Sequence, residues 1–157
     1  MDGGIKMVDS KTFKTDQDWA NAGYQFLCWL NKHNGTYLIT NGKDTLVMCD
    51  EGNGYCHFDQ YEQPIYKIIT LSIREDEKWP THEMFGWYHT ENEAREAIAC
   101  NSCDMQDCAF NYVLLSRSFP GGYGLRDTEL QWYKWNYTDR EWETCERPEA
   151  CNNLMFV

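Results

Sequence analysis

Aliphatic side chains are too scarce in this chain to build its interior by themselves. Leu, Ile, Val and Phe together supply 28 of 157 residues. That share falls below the roughly 20% under which a strongly charged chain is expected to stay unfolded. Seven Trp and ten Tyr make up the deficit. Each buried aromatic side chain removes on the order of 150–250 Å² from water, and the charges are interspersed with no low-complexity tract. The chain therefore reads as a folded, aromatic-rich, acidic protein.

The order of local signals sets the fold class. Residues 1–14 read as a flexible leader and 15–157 as one compact domain, a size that can bury a core without staples. Thr15-Asp16-Gln17-Asp18 has the outline of a capping box. Trp19, Gly23, Phe26, Leu27 and Leu30 follow at helical spacing, which predicts an amphipathic helix over 16–33, with His33 near its C-terminus and Asn34-Gly35 as its stop. Asn41-Gly42 between two β-rich runs predicts a hairpin, and residues 50–54 read as a loop. Strands are expected over 64–74, 84–88, 110–119 and 129–137, with a short one near Trp142. Thr90-Glu91-Asn92-Glu93 is a full capping box opening a helix to about Asn101. Pro120-Gly121-Gly122-Tyr123-Gly124 reads as a turn. The order implies α+β, with a mainly antiparallel sheet of about five to six strands and two helices packed on it.

Charge narrows the function. The formal net charge is -11, which argues against direct binding to nucleic acid or an anionic membrane. No apolar run reaches the length of a membrane span. The opening Met1-Asp2-Gly3-Gly4-Ile5-Lys6 has neither the basic nor the apolar region of a signal peptide. A cytoplasmic chain with reduced thiols is the expectation, and Asn34-Gly35-Thr36 and Asn136-Tyr137-Thr138 then have no glycosylation role. Residues 44–96 hold twelve acidic and four basic side chains, whereas 1–43 hold four and five. Spaced carboxylates on a rigid fold can imitate duplex phosphates and occupy a basic groove, although plain solubility also accounts for them. The candidate partner-binding residues are Asp50, Glu51, Asp59, Glu62, Glu75, Asp76, Glu77 and Glu83. Trp132 joins them, because strand alternation puts Tyr133, Trp135 and Tyr137 on one face and Trp132 on the other, exposed unless both faces are covered.

Other constellations are weaker. Cys100-x2-Cys103-x4-Cys108 could supply three ligands to a structural zinc ion, with His89, Cys145 or Cys151 completing the set. Without a second CxxC pair the spacing is not specific, and three reduced thiols packed as small hydrophobes also account for it. Cys49-x6-Cys56-His57 could be a metal half-site or a Cys–His nucleophile pair, although adjacency in sequence supplies neither a base in position nor a lowered pKa. Carboxylate pairs such as Glu141 with Glu143 read as a solvated face. No phosphate loop or dinucleotide fingerprint occurs.

Gly86-Trp87-Tyr88-His89-Thr90-Glu91-Asn92-Glu93-Ala94, Asn111-Tyr112-Val113-Leu114-Leu115 and Trp132-Tyr133-Lys134-Trp135-Asn136 together resemble small acidic proteins encoded by phages and mobile elements. In character the chain is also similar to anti-defence proteins such as anti-CRISPR inhibitors. The resemblance implies a non-enzymatic inhibitor, without cofactor, that binds a basic nucleic-acid-handling host defence protein. Two other classes compete on the residues alone. One is a small enzyme or ligand-sequestering protein with a Trp/Tyr-walled pocket edged by Cys56, His57 and His89. The other is a zinc-stabilised interaction module. An exposed aromatic strand would also suit a homodimer.

Overall fold

The computed structural model describes residues 9–102, 105, 109–119 and 127–156. The chain is α+β, and its strands pair antiparallel in two sheets. The expected single sheet of five to six strands is corrected: the described residues form nine strands, in sheets of four and five. Two compact units result, one over 9–64 and one over 65–119 with 127–156. Among the described residues no helix is long and apolar enough to cross a membrane.

In the first unit, a short 3-10 turn over Ser10–Thr12 precedes α1 (Asp16–Asn21) and four strands: β1 (Gln25–Asn31), β2 (Thr36–Thr40), β3 (Thr45–Gly52) and β4 (Tyr55–Phe58). The strands follow one another as a meander, β1-β2-β3-β4. The capping box of Thr15 is present, with Asp18 closing it. Backbone N–H donors from Lys14 and Thr15 hold the Asp18 carboxyl below its ordinary value.

The helix expected over 16–33 is six residues long, and its second half is β1. Gly23 sits at φ 91° and ends the helix in the left-handed region. Beyond it the continuous run Phe26-Leu27-Cys28-Trp29-Leu30 satisfies a strand better than a helical stripe, because aromatic side chains fit a pleated surface. His33 therefore caps no helix and lies exposed in the turn after β1.

Asn41-Gly42 does form the β2–β3 turn, with the Asn41 side-chain oxygen accepting from the backbone of Lys43 and Asp44. The loop expected at 50–54 is instead a tight hairpin. Gly52 pairs with Tyr55, and Asn53 and Gly54 take φ 55° and 81°, the signs a type I′ turn requires. One face of this sheet buries Tyr37, Ile39, Met48 and Cys56 with Phe13. Phe13 falls inside the segment read from sequence as a leader.

In the second unit β5 (Ile65–Ser72), β6 (Thr81–Tyr88), β7 (Tyr112–Ser118), β8 (Thr128–Asn136) and β9 (Glu141–Cys145) form a sheet in the order β6-β5-β7-β8-β9. Helix α2 (Glu91–Ala99) lies on one face, burying Ala94, Ala97 and Ile98 against Tyr66, Ile68, Val113, Leu115, Tyr133, Trp135 and Trp142. Arg95 ties the helix down, donating to Glu91 and to the Tyr133 hydroxyl. The other face buries Ile69, Leu71, Leu114 and Trp132 under Cys151 and Phe156 of the C-terminal segment.

The expected Thr90 capping box closes at both ends. Thr90→Ala is expected to cost about 0.5–2 kcal/mol and Thr90→Gly only a few tenths, read as shifts in the urea midpoint. A Thr90→Ala midpoint indistinguishable from that of the unsubstituted protein would show that the side-chain cap contributes nothing. The expected turn at 120–124 lies outside the described residues.

Candidate interaction surface

The predicted partner-binding residues are divided between the two units. Asp50, Glu51, Asp59 and Glu62 belong to the first unit, and Glu75, Asp76, Glu77, Glu83 and Trp132 to the second.

In the first unit the carboxylates serve their own fold. Asp50 accepts from the Gly52 backbone. Asp59 accepts from the backbones of Tyr61 and Glu62 through one oxygen, and from the Cys49 thiol through the other at 3.3 Å. Glu51 pairs with His57 Nδ1 at 2.9 Å. Cys49 stands directly across from His57, while Cys56 stands across from Asp50 and enters the core. The Cys49-x6-Cys56-His57 grouping is thereby split between two faces of the sheet. Partial burial, the hydrogen bond to Asp59 and the neighbouring charges of Asp59, Glu62 and Glu51 push the Cys49 thiol up to about 12. It is a protonated donor at neutral pH, the reverse of an activated nucleophile.

Trp132 is a core residue at 5% exposure, so the expectation that it lies on the surface is corrected. Its indole N–H donates to Glu129 at 2.9 Å. Phe156 meets it edge-on at 5.7 Å, and the Arg147 guanidinium lies over both rings. Arg147 is itself anchored by Glu129 and by the carbonyls of Cys151 and Leu154. Both faces of β8 are covered, so alternation sorted its side chains correctly and still left none of its large rings exposed within the strand. Tyr133, Trp135 and Trp142 are likewise buried.

Cys100 is the exposed C-cap residue of α2, while Cys103 and Cys108 lie outside the described residues. Cys145 and Cys151 are half-buried and buried free thiols, both pushed up by burial. Among the described residues, a set of metal-capable side chains converges at Asp139, Glu141 and Glu143 in the β8–β9 hairpin. All three are exposed, and the Asn136 amide donates to Asp139 and Glu143, so the set needs no ion to be satisfied. A depression of ≈ 230 Å³ in the first unit, lined by Thr12, Phe13, Asp18, Asn21 and Ala22, is smaller than the roughly 300–1,000 Å³ of small-molecule sites.

The β5–β6 hairpin of the second unit is different. Its connection and outer strand hold Glu75, Asp76, Glu77 and Glu83 against Arg74 and Lys78, all six exposed. Glu77 lies 4.0 Å from Arg74. The side chains of Glu75, Asp76 and Glu83 have no partner among the described residues. The same hairpin exposes Trp79 at 59%, Met84 at 60% and Trp87 at 52%. Lys78 lies 5.6 Å over the Trp79 ring and His89 stands edge-on to Trp87 at 5.2 Å, so both indoles are held without being buried.

The candidate residues read from sequence include these four carboxylates but not Trp79, Met84 or Trp87. The signal for all of them was the position of β6 at the sheet edge, which only the strand order supplies. A second apolar edge, on β1, exposes Phe26, Leu27 and Trp29, and no charged residue lies within that strand. Comparison with protein families, with curated proteins and with solved structures finds no match.

Proposed function

We propose that this chain is a non-enzymatic binding protein, an inhibitor of the phage or mobile-element kind, that occupies a basic nucleic-acid-handling host protein such as a CRISPR effector. The β5–β6 hairpin is the surface that makes the contact. One observation carries the reading: three partnerless carboxylates share a single hairpin with three large apolar side chains that are more than half exposed. Solubility accounts for the carboxylates but not for Trp79, Met84 and Trp87 beside them. Exposed aromatics in a charged surround have the composition of a binding hot spot. The carboxylates would raise the association rate with a basic partner, and the apolar side chains would slow dissociation.

The test begins with tagged protein in host lysate at low salt and identification of what it retains. The affinity of that purified partner is then followed from about 0.05 to 0.5 M salt, across which the Debye length shrinks severalfold. Affinity is expected to fall steeply with salt. The Glu75→Gln, Asp76→Asn, Glu77→Gln triple variant is expected to bind at least tenfold more weakly, mainly through a slower association rate. A tight complex indifferent to salt and to the triple substitution would remove the acidic-surface mechanism.

A further inference from the structure

The strand order says more about that surface than its charge does. β6 pairs with β5 on one side, and among the described residues no strand pairs with its other side. An edge strand presents alternate N–H and C=O groups outward, a template for one more strand. Natural edges are blunted by charge, by Pro or by bulges. β6 carries one bulge, at Phe85, between the pairs Ile68–Gly86 and Ile69–Met84. The stretch Thr81–Met84 before it is regular and exposed at each residue, with His82 edge-on to Phe156 at 5.1 Å, and is joined directly to the acidic connection.

The register fixes what each face of an added strand would meet. Directly opposed residues in antiparallel strands share a face. His82, Met84 and Trp87 oppose Leu71, Ile69 and Lys67 and share one face. Thr81, Glu83 and Gly86 oppose Ser72, Thr70 and Ile68 and share the other. Glu83 and Met84 are adjacent, so a strand lying beyond β6 meets a carboxylate on one face and a thioether with an indole beyond it on the other.

We propose that the outer edge of β6 at Thr81–Met84 accepts an extended segment of the partner as an added antiparallel or parallel strand, and that this segment alternates basic and apolar residues. A basic side chain of the segment pairs with Glu83, its neighbour in sequence packs on Met84, and its end toward the hairpin connection meets Glu75 and Asp76. The inference rests on the proposed acidic-surface function and adds the mode of recognition: main-chain hydrogen bonds supply affinity, and period-two alternation supplies selectivity. The charge-free strand β1 offers a basic segment no such discrimination.

A short capped peptide alternating arginine and valine is the probe, used with the full chain. Its affinity is measured at about 0.05 M salt, together with backbone amide hydrogen exchange of the protein. Two controls are used: the same peptide N-methylated at alternate amides, which keeps every charge and removes main-chain donors, and the protein variant Glu83→Lys, which reverses the charge the basic side chain would meet. Binding is expected to slow exchange within residues 81–84, and both controls are expected to bind at least tenfold more weakly. Binding that leaves exchange at 81–84 unchanged, or that tolerates N-methylation, overturns strand addition. The acidic-surface reading survives that result, because the salt dependence of the partner complex is measured separately. No binding of the peptide overturns strand addition as well.

Discussion

Trp135→Ala is expected to remove about 3–5 kcal/mol of stability, the range for deleting a buried aromatic side chain. Trp135 is 6% exposed and meets Trp142 edge-on at 5.2 Å. It lies in the cluster that joins α2 to the five-stranded sheet through Ala94, Ala97 and Ile98. With few aliphatic side chains available to fill the gap, the cavity left by an indole persists, and its cost adds to the lost transfer energy. Tyr137 is two residues on, in the same alternation, and is 70% exposed because β8 has ended at Asn136. Tyr137→Ala is expected to stay within about 0.5 kcal/mol. Urea denaturation of the two variants measures the contrast. Equal effects would mean that the aromatic cluster is not the core of the second unit.

Cys49 is expected to react with a disulfide reagent at pH 8 on the order of fiftyfold more slowly in the folded protein than in the urea-unfolded chain. Raising the thiol from 9.0 to about 12 cuts its thiolate fraction at pH 8 roughly a thousandfold, and the greater nucleophilicity of the more basic thiolate returns about twentyfold of that. In the folded protein the rate should keep climbing about tenfold for each pH unit beyond 9, where an ordinary thiol levels off. The sign for stability follows. The folded state favours the protonated thiol, so its contribution is complete below pH 9 and is lost as the pH rises toward 12. Mass-spectrometric mapping of the labelled cysteine against time reads the rate. A Cys49 that labels as fast folded as unfolded would show that neither its burial nor the carboxylates of Asp59, Glu62 and Glu51 hold the thiol protonated.

Elements with a local chemical signature were legible in the sequence. The Thr15 and Thr90 caps, the Asn41-Gly42 turn and the β-rich run of β5 all depend on residues within a few positions of one another. The helix expected over 16–33 failed because Trp19, Phe26, Leu27 and Leu30 satisfy a helical period while Gly23 breaks it; the spacing carried no weight for the glycine's φ. β4 was missed because four residues, Tyr55 to Phe58, are too few to show a period, although Asn53-Gly54 announced its turn. Trp132 was placed on the correct face of β8, yet its burial depends on Phe156 and Arg147 arriving from elsewhere in the chain. The same limit applies to the candidate surface. Glu75, Asp76, Glu77 and Glu83 were visible as charges, and only the strand order puts them on an edge.

The two strand orders also differ in how soon they can be completed as the chain leaves the ribosome. Every pairing of β1 to β4 joins neighbours in sequence and is available once residue 58 has emerged. β5 can pair at once with β6, but its other side waits for β7, whose Leu114 pairs with Ile69 across the whole of β6 and α2. At synthesis rates of roughly 5–20 residues per second, the side of β5 that carries this pairing stays open for seconds. During that interval Ile68, Ile69 and Leu71 lie on a strand whose second edge has no partner of its own chain. Nascent chains of this protein are therefore most exposed to mispairing with one another between the synthesis of β5 and that of β7.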